Sequence, residues 1–201
     1  ADTLDGDSSA NQLVAGLGDD TLVGNGGADV LRGGGGDDVL AISDANFASL
    51  DGGLGIDTLR LDANLDFDLT AISNTRLSSL EVIDLNNTGA TLTLNTDDVL
   101  TIVGDEAAND LRITGQAGDT VDLNGNGFAA SGSTEVVDTV TYNVYTNSNL
   151  DSSVRLLVAQ SLTVVGGPIA AIELSAIEDN SNSGGFVING VSAGDFSGYS
   201  V

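Results

Sequence analysis

The feature that most constrains the fold of this chain is a nine-residue repeat near its start. Four segments follow one another in register without a gap: GDSSANQLV (6–14), AGLGDDTLV (15–23), GNGGADVLR (24–32) and GGGGDDVLA (33–41). A fifth copy, GGLGIDTLR (52–60), follows an insertion of ten residues, 42–51. Such a short period indicates a solenoid, in which each copy adds one small unit to a stack.

Two positions of the repeat carry side chains of constant chemistry. The sixth position holds an acid or an amide, namely Asn11, Asp20, Asp29, Asp38 and Asp57. The eighth position is always leucine, at residues 13, 22, 31, 40 and 59. Asp2 and Leu4 match the end of a further copy that begins before residue 1. A flexible Gly/Asp-rich linker is the alternative interpretation, but linkers do not keep a leucine every nine residues.

The repeat predicts how its copies stack. The glycine-rich first six residues can fold into a tight turn with inward carbonyls, because glycine tolerates positive φ. The last three residues form a minimal strand whose leucine points to the interior. Two copies complete one coil, so copies n and n+2 should stack at a strand spacing of about 4.8 Å. The predicted stacked pairs are Asp2 with Asp20, Asp20 with Asp38, Asn11 with Asp29 and, if the insertion counts as one degenerate copy, Asp38 with Asp57.

Stacked carboxylates require a cation. Two carboxylates about 5 Å apart repel each other by roughly 3 kcal/mol at an effective dielectric constant near 20. The summed repulsion of several such pairs exceeds the ~5–15 kcal/mol net stability of a typical domain. Calcium accepts about six to eight oxygen ligands in loose geometry and mixes carboxylates with carbonyls. The sequence therefore predicts calcium ions between stacked turns.

The composition excludes several other kinds of chemistry. The chain has 30 acidic residues, five arginines, no lysine and a formal net charge of −25. Such a chain cannot neutralise nucleic-acid phosphates or bind an anionic membrane surface. It also lacks His and Cys, which excludes Ser-His and Cys-His nucleophiles and the usual zinc ligands. With 41% hydrophobic residues, it is nevertheless apolar enough to fold.

The pattern G-G-x-G-x-D-x-U-x resembles the calcium-binding nonapeptide of the RTX (repeats-in-toxin) family of type I-secreted bacterial proteins, over residues 1–60. The resemblance implies a calcium-stabilised parallel β-roll, a form of parallel β-helix, with about three to six hemolysin-type calcium sites. The implied side-chain ligands are Asp2, Asn11, Asp20, Asp29, Asp38 and Asp57. The implied carbonyl ligands belong to Gly6, Gly16, Gly18, Gly24, Gly27, Gly33, Gly34, Gly36, Gly52, Gly53 and Gly55.

The insertion departs from the repeat pattern. Phe47 stands at the sixth position of the degenerate copy and cannot be a ligand, so we expect it to pack on the roll with Leu50. Asp29 then lacks an acidic partner in the coil above unless Asp44 or Asp51 supplies one. Asn11 carries one charge fewer than an aspartate, so its site should be weaker.

After residue 60 the glycine turns stop, but short β-type runs continue. Residues 61–165 are predicted to form a β-solenoid-like extension of the all-β fold, with little helix. The runs are TLRL (58–61), FDL (67–69), SLEVIDL (79–85), TLTL (91–94), VLTI (99–102), DLRI (110–113) and DTVDL (119–123). Segments 139–146 and 154–160 predict an antiparallel hairpin that closes the open end of the solenoid. In DLNGNG (122–127), Asp122, Asn124 and Asn126 fit a plain turn or a weaker ion site.

The last segment, 166–201, is predicted to be a linker followed by a partial strand. GGFVINGVSAGDFSGYSV (184–201) resembles the opening of an FG-GAP blade of integrin-α-like β-propellers. The stretch from SLEVIDL to SLTVV (161–165) resembles segments between RTX repeats and later modules of large bacterial surface adhesins. A disordered polar tail is the alternative for the end of the chain.

These features favour a non-catalytic, calcium-dependent structural and adhesive module of a secreted or surface-bound bacterial RTX adhesin. We expect an extracellular or cell-surface location, neighbouring modules of a longer chain, and a surface polysaccharide or a host or biofilm protein as partner. We expect no nucleic-acid partner and no membrane insertion. The alternative is a polysaccharide-binding module attached to an extracellular enzyme, which a groove lined by Tyr142 and Tyr145 would favour. An enzyme in its own right would need an arginine beside an open acidic cluster.

Overall fold

The structure, a computed structural model, describes residues 1–86, 88–103, 110–125, 127–150 and 154–167. Within these ranges it contains seventeen β-strands, the helix α1 (Thr96–Ile102) and two 3₁₀-helices, Leu69–Ala71 and Asn74–Arg76. The strands are β1 Thr3–Asp5, β2 Gln12–Leu17, β3 Thr21–Val23, β4 Val30–Gly35, β5 Val39–Ile42, β6 Ser49–Leu54, β7 Thr58–Leu61, β8 Phe67–Asp68, β9 Leu77–Ser78, β10 Val82–Asp84, β11 Thr91–Thr93, β12 Asp110–Thr114, β13 Thr120–Asp122, β14 Phe128–Val137, β15 Val140–Asn147, β16 Arg155–Ala159 and β17 Thr163–Val165.

The strands form three sheets. The largest has nine strands in the order β1-β3-β5-β7-β10-β12-β16-β15-β14, and the two smaller sheets have the orders β2-β4-β6-β9 and β17-β13-β11-β8. In the repeat region, successive strands alternate between the nine-stranded sheet and the β2-β4-β6-β9 sheet, and each of the strands β1 to β5 pairs in parallel with the strand two places later. The predicted stacking of copies n and n+2 is therefore confirmed.

The apolar positions of the repeat form continuous rows inside the stack. One row begins with repeat leucines and continues beyond the repeats in β10, β12 and β16: Leu4, Leu22, Leu40, Leu59, Ile83, Ile113 and Val158. A second row in the β2-β4-β6-β9 sheet consists of Leu13, Leu31, Leu50 and Leu77. Most of these side chains are fully buried, so the rows form the hydrophobic core.

The insertion adds a large aromatic side chain to this core. Phe47 is buried in the same cluster as Leu50, as the sequence predicted. Its ring lies 6.3 Å from the ring of Phe67, and the guanidinium carbon of Arg76 lies 4.3 Å from its centroid. The degenerate copy therefore contributes packing and a cation–π contact where the other copies contribute an acid or amide.

The last three strands of the nine-stranded sheet are antiparallel. The runs 139–146 and 154–160 correspond to β15 and β16, which pair antiparallel, and β14 pairs antiparallel with the other side of β15. We did not predict β14, a mostly exposed strand with an irregular register between Ala130 and Thr134. Its sequence, FAASGSTEVV, lacks the apolar alternation that identifies a half-buried strand.

The predicted strand VLTI (99–102) is wrong, because these residues lie in α1. Asn95 caps this helix: its side-chain oxygen accepts the N–H groups of Asp97 (2.8 Å) and Asp98 (3.1 Å). The Asp98 carboxylate accepts the Asn95 N–H in return at 2.7 Å. This capping box selects a helix for a run whose alternation also fits a strand. Among the described residues, no helix is long and apolar enough to cross a membrane.

The leucine rows predict a large difference between two leucines of the roll. Leu40 is fully buried, whereas Leu17 is 90% exposed. We expect Leu40→Ala to lower the free energy of unfolding by about 2–5 kcal/mol, because it leaves a cavity in the core. Leu17→Ala is the matched control and should change it by less than about 0.5 kcal/mol. Urea denaturation in millimolar calcium measures both, and equal effects would contradict the assigned register.

Candidate calcium site

The sixth-position side chains form a hydrogen-bonded column. The N–H group of Asp2 donates to Asp20 Oδ1 (2.5 Å), that of Asp20 to Asp38 Oδ1 (2.8 Å), and that of Asp38 to Asp57 Oδ1 (2.7 Å). Each aspartate therefore accepts from the acidic residue one coil earlier. The predicted stacking is confirmed, including the pair Asp38 and Asp57 across the insertion.

The second column is shorter. The Asn11 N–H donates to Asp29 Oδ1 at 2.8 Å, so this predicted pair is also in register. In the next coil the Ala48 N–H donates to the main-chain oxygen of Asp29 (2.7 Å), as in the long column, but the sixth position is the buried Phe47, which has no side-chain oxygen. Asp51 is in register with Arg32 rather than with Asp29. Asp44 lies beside a different part of the turn, its Oδ2 being 3.1 Å from the position of a Cβ on Gly26.

The other carboxylate oxygen in the long column has no hydrogen-bond partner among the described residues. This holds for Oδ2 of Asp20, Asp38 and Asp57, and each of these oxygens is buried. A buried polar atom without a partner costs about 1–3 kcal/mol, and more when it is charged. Three such atoms on consecutive coils indicate a common missing partner of positive charge.

Glycines at the first position of a copy leave room beside these oxygens. A Cβ on Gly24 would stand 2.6 Å from Asp29 Oδ2, and one on Gly52 would stand 2.5 Å from Asp57 Oδ2. Gly33 lies in the same way against Asp38 Oδ2, and Gly6 against Asn11 Oδ1. The exception is the copy 15–23, which has Ala15 at this position. These glycines are required by close approach rather than by backbone angle.

The remaining predicted glycines shape the turn itself. Gly34 has φ 119°, and a Cβ on it would overlap the carbonyl oxygen of Gly16 in the coil below. Positive φ between 105° and 133° is shared by Gly16, Gly18, Gly27, Gly34, Gly36, Gly53 and Gly55. Side chains at these positions would be strained, and in the stacked turns they would also separate the coils.

Burial and mutual repulsion disfavour the charged form of the column. Burial, together with the charges of Glu81 and Asp38, raises the pKa of Asp57 to about 7, although the hydrogen bond from the Asp38 N–H opposes the rise. Burial also raises the pKa of Asp38, with added repulsion from Asp20. Asp38 and Asp57 therefore favour a proton or a bound cation over the free carboxylate.

The residues of the column fit a calcium ion better than a metal with stricter geometry. No three acidic side chains converge on one point among the described residues. Instead, the Gly52 carbonyl approaches within 2.5 Å of the Cβ position on Gly33, where Asp38 Oδ2 also lies. A site here combines carboxylate and main-chain oxygens, which is the ligand set that calcium accepts.

Sequence reasoning missed three acidic positions. Glu81 is buried and accepts the Asp57 N–H at Oε2 (2.8 Å), so it follows Asp57 in the column. Asp19 and Asp37 form an exposed ladder, in which the Asp37 N–H donates to Asp19 Oδ1 (2.9 Å). An acid two residues before an apolar strand position, as in Glu81-Val82-Ile83, repeats the spacing of Asp57-Thr58-Leu59 and is the signal that could have identified Glu81.

The same spacing occurs in Asp119-Thr120-Val121, but there the carboxylate is satisfied. Asp119 is fully buried, its Oδ1 accepts the Ala90 N–H (3.0 Å), and its Oδ2 accepts the Gln116 N–H (2.7 Å). Gly115 lies beside Oδ2, as the first-position glycines do in the repeats. This turn provides a main-chain donor where the repeat turns leave Oδ2 without a donor.

The weaker ion-site candidate has the geometry of a turn. Asp122 Oδ1 accepts the Asn124 N–H at 2.8 Å, and Asn124 adopts φ 47°. The Gly125 N–H donates to the Gly166 carbonyl at 2.5 Å. Asn126 lies outside the described residues. The hydrogen bonds at Asp122 and Asn124 are sufficient for a plain turn, and an ion site there stays a prediction.

The arginines that a catalytic function would need, and the tyrosines that a polysaccharide-binding function would need, make contacts within the fold. Arg155 pairs with Asp110 and, at 2.7 Å, with Glu135, and Arg112 lies 3.7 Å from Asp138. Four of these residues, Asp110, Arg112, Glu135 and Asp138, line a cleft of about 340 Å³ beside β14. Arg60 pairs with Asp62. Tyr142 is buried and Tyr145 is half-buried against the core, so neither presents an open ring face for a sugar.

The raised pKa of Asp57 predicts that acid stabilises the metal-free fold. Its pKa is about 7 in the fold against about 3.8 when unfolded, so the folded state binds the extra proton between these values. The resulting destabilisation is absent below about pH 4, grows with rising pH and is complete above about pH 7. In EDTA, far-UV circular dichroism should therefore show more β-structure at pH 5.5 than at pH 8. Asp57→Asn should reduce the difference, and greater stability at pH 8 would contradict the assignment.

Comparison with known proteins identifies the first part of the chain. Residues 5–40 match the family model of the RTX calcium-binding nonapeptide repeat (4 copies). Searches of curated proteins and of solved structures found no match to this chain. RTX nonapeptide repeats bind Ca²⁺. The repeat region is therefore a calcium-binding module of a type that is typical of secreted bacterial proteins.

Proposed function

We propose that the chain is a structural and adhesive module of a secreted or surface-bound bacterial protein of the RTX adhesin type, and that it folds on extracellular calcium. One observation carries the proposal: on each of three consecutive coils, Asp20, Asp38 and Asp57 bury a carboxylate oxygen that has no partner in the part of the chain that the structure describes. The strong negative charge of the chain and the resemblance of residues 79–165 to adhesin segments support the adhesive role.

The mechanism follows from what the column does with and without positive charge. Without calcium, Asp38 and Asp57 resist ionisation in the fold, so neutral pH favours the unfolded chain. Calcium supplies the positive charge that the buried oxygens lack. Because the cradle of carboxylates and glycines exists only in the stacked coils, binding free energy becomes folding free energy. Oδ2 of Asp20, Asp38, Asp57 and Asp29 would hold the ions together with turn carbonyls, and Asn11 would contribute a weaker ligand.

We propose that residues 61–165 extend the roll as a solenoid and that the antiparallel strands β14–β16 close its end. Two observations support this. The strands β10, β12 and β16 continue the nine-stranded sheet in parallel with the roll. The Asp119 carboxylate has both oxygens hydrogen-bonded to main-chain donors, so this turn does not require an ion.

We also propose that the module is not catalytic. Arg60, Arg112 and Arg155 pair with carboxylates, and the guanidinium of Arg76 lies over Phe47. Four of the five arginines of the chain therefore make contacts that stabilise the fold. A lyase-type base requires a guanidinium beside an acidic cluster that is open to substrate.

Calcium titration tests the proposed function. In EDTA at pH 7.5, the far-UV circular dichroism spectrum of the purified chain should show less β-structure, because the column is uncompensated. We expect a cooperative gain of β signal near millimolar calcium and none with magnesium, which demands stricter geometry and holds its water. A fully folded spectrum in EDTA that does not change with calcium would contradict the proposal.

Matched variants locate the effect in the repeats. Asp20→Ala and Asp38→Ala should each shift the midpoint of calcium-induced folding to higher calcium more than Asp122→Ala does. The reason is that Oδ2 of Asp20 and Asp38 is buried without a partner, whereas Asp122 only completes an exposed turn. Equal shifts in all three variants would show that the column is not the calcium site.

A further inference from the structure

The acidic column continues one coil beyond the last nonapeptide. The Asp57 N–H donates to Glu81 Oε2 at 2.8 Å, just as the Asp38 N–H donates to Asp57 Oδ1 at 2.7 Å. Glu81 belongs to no repeat copy, yet it is buried, with 3% of the residue exposed. The column therefore ends on a glutamate from the extension rather than on a repeat aspartate.

The segment that carries Glu81 stacks on the last repeat turn but has fewer residues than that turn. Asp51 pairs with Ser78, and Thr58 pairs with Val82. Ser79 therefore lies over Gly52, and Glu81 lies over Asp57. The repeat uses six residues, 52–57, where this segment uses three, 79–81. Glutamate, which is one methylene longer than aspartate, reaches the column from this shorter path.

Oxygen atoms meet between the two segments. Asp57 is fully buried, and within the described ranges its Oδ2 has no hydrogen-bond partner. The Ser79 carbonyl oxygen packs on the Cα of Gly52, the same glycine that leaves room for Asp57 Oδ2. One coil earlier, the Gly52 carbonyl packs on Gly33 in the same way, beside Asp38 Oδ2. The last repeat turn therefore presents the same two kinds of oxygen as the turn below it: an aspartate Oδ2 and a main-chain carbonyl oxygen. The carbonyl comes from Ser79, where the turn below uses a repeat glycine.

We propose a further calcium site between the last nonapeptide and segment 79–81, with Asp57 Oδ2 and the Ser79 carbonyl as ligands and Glu81 as the second negative charge. The site rests on the proposed function, in that the column must bind calcium at all. It is the terminal site of the roll, because the next coil places Leu111 at the level of Glu81 and the Arg112 N–H donates to the Glu81 carbonyl (2.8 Å). It joins the repeats to the extension.

Glu81→Gln separates this proposal from a purely structural role for Glu81. Glutamine keeps an oxygen that can accept the Asp57 N–H, but it removes the charge. Asp84→Asn is the matched control, because it makes the same charge change in the adjoining strand β10, outside the column. Calcium binding to the full chain is measured by equilibrium dialysis and titration calorimetry, together with the midpoint of calcium-induced folding.

We expect Glu81→Gln to lose one ion at saturating calcium, or to bind one ion at least tenfold more weakly, while the other ions remain. The Asp84→Asn variant should bind the same number of calcium ions as the unmodified chain, with the same affinities. The proposal is overturned if Glu81→Gln binds the same number of ions with the same affinities. If the unmodified chain binds no calcium, the proposed function fails with it, whereas retention of every ion by Glu81→Gln overturns the terminal site alone.

If Glu81→Gln does not fold at any calcium concentration, the unmodified chain still tests the site. Crystals of the calcium-bound chain should show an anomalous peak about 2.3–2.6 Å from both Asp57 Oδ2 and the Ser79 carbonyl oxygen. Anomalous peaks at Asp20 and Asp38 without one at Asp57 would overturn the terminal site and leave the repeat sites in place.

Discussion

The rest of this structure depends on burying one carboxylate per coil on the same side of the roll. In Asp20, Asp38 and Asp57, one oxygen accepts an N–H group from the coil below, and the other is enclosed with no donor from any residue that the structure describes. The first oxygen fixes the register of the stack. The second makes that register unfavourable at neutral pH unless a cation is present. The same side chains therefore specify the register of the fold and make its stability depend on a bound cation.

The other constant positions of the repeat serve this arrangement. First-position glycines such as Gly33 and Gly52 leave room beside the enclosed oxygen, and Gly34 allows the turns to stack at backbone contact. The leucine rows supply burial that does not depend on calcium, and they continue through Ile83 and Ile113 into the extension. Calcium thus acts on an assembly whose apolar packing is already defined by the sequence.

The repeats could be predicted from the sequence because each constraint recurs every nine residues. The stacked pairs from Asp2 to Asp38 followed from that period alone, and the pair of Asp38 with Asp57 followed once the insertion was counted as one degenerate copy. Prediction failed where a contact is made once: Glu81 joins the column from a shorter segment, and the capping box of Asn95 and Asp98 turns residues 99–102 into a helix. Strand β14 was missed because an exposed ribbon needs no apolar alternation. Residues 168–201, for which we predicted a linker and a partial strand that resembles an FG-GAP blade, lie outside the described residues.

The free energy of unfolding as a function of calcium concentration tests the central claim most directly. If folding takes up ions, this free energy rises by about 1.4 kcal/mol per tenfold increase in calcium for each ion bound. Urea denaturation at several calcium concentrations should give a slope of at least two ions, and the variant with asparagine at positions 20, 38 and 57 should show a much smaller slope. A free energy of unfolding that is independent of calcium would contradict the account.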